Sequence, residues 1–179
     1  MNVNDILNKA LTFLGIEDLT VTAGSSDARL TKLVNALGVV YLQLITEYAP
    51  LEKEESITVT GGSFDLSTLS DNLFDIVRLS DASGAPINCR RRGNTLLAED
   101  GSYRLRYYRL PQAYPAIGGT VEVPSQVTLP LLARGVAAEY ALESLLYEES
   151  LLQERKYKEG LMKVLSPHAE KRLTVKRWI

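Results

Sequence analysis

The side chains that most often carry out chemistry in proteins are scarce in this chain. It contains one histidine, His168, and one cysteine, Cys89. His168 follows Pro167 and has no fixed spacing to any serine, so the sequence predicts no Ser-His-Asp catalytic arrangement. One cysteine and one histidine do not make a Cys/His zinc site, and a single cysteine excludes a disulfide within the chain.

Acidic side chains are the remaining candidates for metal-dependent chemistry. They cluster at Glu148-Glu149 and within residues 52–55. Neither cluster has a second set of ligands at a fixed spacing, which favours a solvated surface over a divalent-cation site. The glycine pairs at 61–62 and 118–119 lack a following Lys-Ser/Thr and are therefore interpreted as turns rather than phosphate loops. We expect no enzymatic activity, no cofactor and no bound metal.

Composition indicates one folded, soluble domain with an uneven charge distribution. The chain has 179 residues, of which 45% are hydrophobic and 23% charged. Its first residues lack the pattern of a signal peptide and no apolar run reaches ~18 residues, so we expect synthesis in a cytoplasm and no membrane partner. Residues 1–154 hold 20 acids and 12 bases, whereas residues 155–179 hold 2 acids and 8 bases. A basic end on an acidic body suggests an acidic or nucleic-acid partner.

Hydrophobic periodicity predicts an α+β fold: a helical bundle with an inserted antiparallel sheet and an extended C-terminal arm. Apolar spacing predicts one helix from Asn4 or Asp5 to Leu14, and a second from residues 25–27 to Tyr48. From residue 55 the period becomes alternating, which predicts roughly five or six short strands up to residue 123, with hairpins at Gly61-Gly62 and Asp100-Gly101. The expected parts are 1–54 (N-terminal helices), 55–123 (β lobe), 124–165 (long C-terminal helix) and 166–179 (basic arm).

The predicted C-terminal helix runs without interruption from Leu129 to Leu165. At a rise of ~1.5 Å per residue it would extend ~55 Å, more than the ~30 Å of a small domain. Its apolar positions are dense up to Leu152 and sparse after it. We therefore expect its first half to pack on the two N-terminal helices, and its second half to lie in solvent or against another chain.

The predicted strand SYRLRYYRL combines arginine and tyrosine. Because side chains alternate along a strand, Arg104, Arg106 and Tyr108 should share one face and Tyr103, Leu105 and Tyr107 the other. Such a face is typical of a platform for single-stranded nucleic acid, but also of a protein interface. Residues 57–128 hold seven arginines and seven acids, and this balance favours the protein interface.

The C-terminal segment mixes basic and apolar residues. A terminus that is merely soluble seldom ends in Trp-Ile, which favours a docking arm over a tail folded onto its own body. In such an arm Trp178 would be a pocket anchor and the bases would be rim charges. The candidate docking residues are Lys171, Arg172, Leu173, Val175, Lys176, Arg177, Trp178 and Ile179.

The layout as a whole resembles the head-to-tail adaptor (connector or neck) proteins of tailed bacteriophages. The resemblance is carried by two N-terminal helices, an inserted sheet, the segment VPSQVTLPLLARGVAAEYALESLLYEE that opens the last helix, and the strand-turn-strand LFDIVRLSDASGAPI. It implies a virion structural protein, made in the bacterial host cytoplasm, that forms a dodecameric ring under the portal. Its partners would be the portal protein, further copies of itself, and another neck or tail protein.

The resemblance also implies roles for particular residues. The C-terminal arm would reach the portal ring, the helices would surround a central channel, and the β lobes would lie outside. Glu139, Glu143 and Glu148 are candidates for the channel lining. An acidic lining would let genomic DNA pass without sequence readout, because attraction to its phosphates would be absent. The alternative is a nucleic-acid-binding module that uses Arg104, Arg106, Tyr108 and the basic tail.

Overall fold

The protein has an α+β fold that divides into two compact units. A computed structural model describes residues 1–24 and 27–169, with side chains described through Val164. The helical unit comprises Met1–Ala49 and the chain from Tyr114 onward, and the β unit comprises Pro50–Ala113. The β unit is thus inserted between the second and third helices, and residues 114–123 belong to the helical unit rather than to the sheet.

The N-terminal helices form where sequence periodicity predicts them. Helix α1 spans Val3–Leu14: the Asn2 side chain caps its start and Gly15 ends it with φ 68°. Helix α2 spans Ala28–Gln43, with Asp27 as its cap, and continues as a short π-helix over Leu44–Tyr48. The positive φ at Gly15 suits a residue without Cβ, which explains why α1 stops there.

The predicted single C-terminal helix is wrong, because the chain turns in its middle. Helix α3 spans Leu129–Glu143 and helix α4 spans Tyr147–Ala169. Leu145, between them, has a left-handed backbone with φ 61°. This conformation interrupts the helical hydrogen-bond ladder, and α4 therefore begins in a new direction. The chain also continues as helix to Ala169, beyond the predicted end at Leu165.

Helix α4 runs antiparallel along α3 instead of extending away from the bundle. The Ser150 hydroxyl donates to the Ala138 carbonyl at 3.0 Å, and Arg134 donates to Gln153 at 3.0 Å. Later residues of α4 thus meet earlier residues of α3. The second half that was expected to need solvent or another chain packs within the unit, with Leu161 only 3% exposed.

Helix α3 is the central helix of the helical unit. It contacts α1, α2 and α4, which confirms the predicted packing of its first half on the N-terminal helices and adds a fourth helix. Small residues permit the close approach: Ala133, Ala137 and Ala141 are fully buried. A Cβ placed on Gly135 would lie 2.6 Å from Val40 Cγ1 on α2. Such a distance leaves room only for glycine unless α2 or its side chains shift.

One stretch of the described residues, Ala28–Tyr48, has the length and apolar composition of a membrane-spanning helix. Half of its apolar window is buried inside the protein, and Leu33, Ala36 and Leu37 have no exposed surface. A core helix of a soluble protein meets the same criteria. Burial in the helical unit is sufficient reason for the apolar composition of α2.

The β unit consists of two small antiparallel sheets. The strands are β1 Leu51–Val59, β2 Ser63–Asp65, β3 Leu73–Ser80, β4 Arg90–Arg92, β5 Thr95–Leu97 and β6 Gly101–Arg109. One sheet has the order β1-β6-β3 and the other β2-β5-β4. Their shared core includes Ile57, Leu79, Leu96, Leu105 and Tyr107. The sheet class is as predicted, although strand pairing differs from the expected hairpins.

The two predicted hairpins are turns whose flanking strands separate. After Gly61-Gly62 only one bridge joins Thr60 to Ser63, and β2 then pairs with β5. After Asp100, β6 pairs with β1 and β3 rather than with β5. The predicted last strand, 120–123, is reduced to a bridge between Asn2 and Thr120. The chain start holds this segment, because the Met1 amino group donates to the Val121 carbonyl at 2.7 Å.

Candidate interaction surfaces

The outer face of β6 carries the predicted arginine and tyrosine side chains. Arg104 and Arg106 are exposed and Tyr108 is partly exposed, whereas Leu105 and Tyr107 are buried. The predicted alternation is therefore confirmed, and the structure places the three candidate residues on one face. Strand β1 places Glu54 beside Arg106 and Ser56 beside Arg104, and strand β3 places a further exposed arginine, Arg78, on the other side of Arg106.

The two arginines of this face differ in their partners. Arg106 Nε donates to Glu52 Oε2 at 2.8 Å, and a second guanidinium nitrogen of Arg106 pairs with the same carboxylate. The hydrogen bonds to Glu52 raise the pKa of Arg106. In the part of the chain that the structure describes, Arg104 has no such acidic partner. One of the two cations is thus already neutralised, which weakens the case for a phosphate-binding face.

A second basic surface lies on the other sheet of the β unit. Strand β4 consists of Arg90, Arg91 and Arg92, and all three side chains are exposed. The Arg91 Nε donates to the Gly93 carbonyl at 3.0 Å. These three are among the seven arginines of residues 57–128, and no pattern in the surrounding sequence distinguishes them as a surface.

An ionic cluster anchors the start of the main sheet. Lys53 Nζ lies 2.7 Å from Asp71 Oδ2 and 3.2 Å from Glu55 Oε1, and Arg109 Nε lies 3.6 Å from Asp71 Oδ2. The hydrogen bond from Lys53 lowers the pKa of Asp71 most, and Gln112 adds to the effect. Burial would raise the pKa of Glu55, but hydrogen bonds from Ser70 and Lys53 outweigh it and the net pKa is lowered. These charges compensate one another, so we interpret the cluster as structural.

The three candidate channel-lining acids lie on two helices. Glu139 and Glu143 are one turn apart on α3, and Glu148 is in the first turn of α4. Burial raises the pKa of Glu139, and the negative charge of Glu143 adds to that effect. Glu139 and Glu143 are therefore close enough for their negative charges to repel each other. Glu148 is exposed at the beginning of the next helix.

The α3–α4 corner is the most apolar exposed surface of the helical unit. Leu145 is 69% exposed and Leu151 66% exposed. Other large exposed side chains in this corner are Leu142, Leu146, Tyr147 and Leu152. Clusters of exposed apolar side chains are typical of interaction sites in soluble proteins. Leu145, Leu146, Leu151 and Leu152 were predicted to be core residues of one continuous helix, and this prediction is wrong because the chain turns at Leu145.

A groove, which we call the tyrosine groove, lies between the end of α2, α3 and α4 and has a volume of about 440 Å³. Its polar side chains include Tyr48, Glu139, Tyr157 and Lys158. Burial raises the pKa of Tyr157, and the nearby Tyr48 and Glu47 contribute to that rise. Sequence reasoning missed this groove because it exists only where α4 folds back on α3.

The predicted basic arm was given as residues 166–179, but residues 166–169 belong to the end of α4. The candidate docking residues, 171–179, lie outside the described residues. Within the described ranges, no three His, Cys, Asp or Glu side chains lie together in a way that would hold a metal ion. No known protein-family model matches the chain, and no curated protein is significantly similar to it.

Proposed function

We propose that this chain is a structural subunit of the head-to-tail connector of a tailed bacteriophage. In this role it forms a ring under the portal protein, extends the DNA channel and offers a platform for a further neck or tail protein. It has no catalytic role. The observation that carries the proposal is the connectivity: a β unit, Pro50–Ala113, is inserted between the second and third helices of a helical unit. The adaptor resemblance implies the same organisation.

The surfaces of both units also support a role in protein assembly. The helical unit exposes an apolar corner around Leu145 and Leu151, and the β unit exposes the arginines of β4 and Arg104. An exposed apolar cluster and a group of exposed arginines are each typical of interfaces between proteins. We place the assembled protein at the head-to-tail junction of the virion, after synthesis in the host cytoplasm.

Two further elements of the proposal concern DNA and the portal. Genomic DNA passes the ring without sequence readout, and Glu139, Glu143 and Glu148 are the candidate channel-lining acids. Acidic side chains do not attract DNA phosphates, so they favour passage over binding. The basic arm with Lys171, Arg172, Lys176, Arg177 and Trp178 is the candidate portal-docking element.

Mass measurement of the full chain with and without purified portal tests the proposal. We expect a dodecameric ring of this chain on the portal, since heterologous contacts between copies close into rings. A chain that forms no complex with portal would contradict the connector function. Deletion of residues 166–179 should abolish portal binding while cooperative thermal unfolding shows that the remaining chain, which loses only the last turn of α4, is still folded. If the shortened chain still bound the portal, the docking role of the arm would be wrong, but the connector function would not be contradicted.

A nucleic-acid-binding module is the second candidate, favoured by the exposed and unneutralised guanidinium of Arg104. Replacement of Arg104 and Arg106 by Gln should then weaken binding of single-stranded or duplex DNA, and the affinity of the unchanged chain should fall with salt. A matched control replaces Arg155 and Lys156, which lie on α4 in the helical unit. Equal DNA binding by both double variants would contradict this function.

A further inference from the structure

The tyrosine groove contains a buried hydroxyl group that has no partner. Tyr157 is 6% exposed, and its hydroxyl makes no hydrogen bond to any described residue. Its ring lies against α3, where a Cβ on Gly135 would be 3.1 Å from the ring carbons. Burying a hydroxyl without a partner is unfavourable, and a phenylalanine of the same shape would not incur this cost. Packing among the described residues thus leaves this hydroxyl unsatisfied, and an acceptor carried by a ligand would satisfy it.

The groove also carries an uncompensated negative charge. Lys158 Nζ lies 2.6 Å from Glu154 Oε1, so these two side chains neutralise each other. Glu139 is partly buried and, among the described residues, has no cation within ion-pair distance. Its nearest charged influence is another acid, Glu143. Partial burial of a carboxylate beside a second carboxylate is unfavourable unless a positive charge compensates them.

Apolar side chains form about half of the groove wall. Val40, Leu142, Leu151 and Leu161 line the groove together with Gly135 and Ala138. The volume of about 440 Å³ lies within the range of sites that enclose a small ligand or an inserted side chain. Methylene groups pack well on such walls while a terminal charge reaches the carboxylate, as long basic side chains do elsewhere in proteins.

We propose that the tyrosine groove binds a Lys or Arg side chain carried by an apolar segment of a partner polypeptide. The cation pairs with Glu139 and the methylene stem packs on the leucine and valine side chains. The Tyr157 hydroxyl has almost no accessible surface in this structure; its side chain turns toward the bound segment, and the hydroxyl then donates a hydrogen bond to a carbonyl. Charge complementarity selects this occupant, since Lys158, the base among the described lining residues, already has its own acid. Binding of such a segment is independent of the connector assignment.

Isothermal titration of the full chain with two synthetic peptides tests this site. The first peptide alternates Lys and Arg with Leu and Val, and the second carries Gln in place of every Lys and Arg. We expect the basic peptide to bind and the neutral peptide to bind at least about tenfold more weakly. Equal binding of both peptides, or no binding of the basic one, would overturn the proposal. Binding of free lysine amide as tightly as the peptide would instead indicate a small-ligand site.

Two conservative variants assign the binding to the groove. Tyr157→Phe and Glu139→Gln should each lower the affinity for the basic peptide by about tenfold, which is the loss expected for one charged or buried hydrogen bond. Glu149→Gln, an exposed acid on α4 that does not line the groove, is the matched control and should leave the affinity unchanged. Thermal unfolding verifies that all three variants fold. Unchanged affinity in the two folded groove variants would overturn the site.

Discussion

Asp71 and Lys53 form a 2.7 Å ion pair in which the Asp71 side chain is only 5% exposed. Lys53 lies on β1, whereas Asp71 lies in the loop before β3. Arg109, at the end of β6, is the second cation near the same carboxylate. One buried acid thus connects the first strand of the β unit, the loop before the third and the end of the sixth.

Replacement of Asp71 by Asn should destabilise the β unit. The change removes the negative charge and leaves Lys53 and Arg109 partly buried with a weaker partner, at a cost of about 2 kcal/mol. Amide hydrogen exchange at Leu105 and Tyr107 measures the free energy of opening within this unit. The exposed Glu99→Gln is the control, for which we expect no change. Equal protection in both variants would contradict the anchoring role of Asp71.

The same cluster should make the β unit sensitive to acid. Asp71 and Glu55 both have a lowered pKa in the folded protein, so the unfolded chain binds more protons as the pH falls. Their contribution to stability is therefore present above the ordinary carboxyl pKa of about 4 and is lost as the pH falls through the lowered values. Hydrogen exchange at pH 7, 5 and 3 measures this loss. In Asp71→Asn the stability of the β unit should depend less on pH. If its stability fell with pH as in the unchanged chain, Asp71 would not be the source of the acid sensitivity.

The course of the C-terminal half shows where sequence reasoning succeeds and where it fails. Its helical character and its contact with α1 and α2 follow from apolar spacing and small residues. The turn between α3 and α4 cannot be predicted in this way, because Leu145 is an ordinary helix-forming residue and no Gly or Pro marks the break. The buried stripe of α4 also includes Ser150 and Gln153. A sequence pattern normally predicts that such polar residues are exposed. The hydrogen bonds that allow them to be buried join residues from different helices, so they cannot be predicted from the local sequence.

The candidate surfaces were predictable to different degrees. Alternation along one strand was sufficient to place Arg104 and Arg106 on a common face, because a strand has a fixed period of two residues. The ion pair of Arg106 with Glu52 was not predictable, since it depends on the register between strands that are distant in sequence. The tyrosine groove needs three helices to meet. No local pattern around Tyr157 distinguishes it from a core tyrosine.

Leu145→Gly tests the turn between α3 and α4. A leucine with φ 61° is strained by about 1–2 kcal/mol, and glycine removes that strain. The greater flexibility of glycine in the unfolded chain offsets part of the gain, so we expect a net stabilisation of about 0.5 kcal/mol. Leu146→Gly, whose backbone does not have a positive φ, is the control and should destabilise. In a continuous helix Leu145→Gly would instead cost about 1 kcal/mol, and urea denaturation distinguishes these signs.

Gly135→Ala tests the close packing of α2, α3 and α4. The new Cβ would lie 2.6 Å from Val40 Cγ1 and 3.1 Å from the Tyr157 ring, so we expect a loss of about 1–3 kcal/mol from overpacking. Gly38→Ala on α2 is the matched helical control. There the Cβ meets only the Tyr114 ring, which is 75% exposed and free to move.

The two glycine variants should therefore differ in their effect on stability. Alanine favours the helix by about 1 kcal/mol over glycine when space allows, so Gly38→Ala should be neutral or stabilising while Gly135→Ala destabilises. Thermal unfolding followed by the helical circular dichroism signal measures both. Because Gly135 supports the ring of Tyr157, its replacement should also weaken binding of the basic peptide. Stabilisation by both alanines would mean that α3 does not pack as closely on α2 and α4 as these distances require.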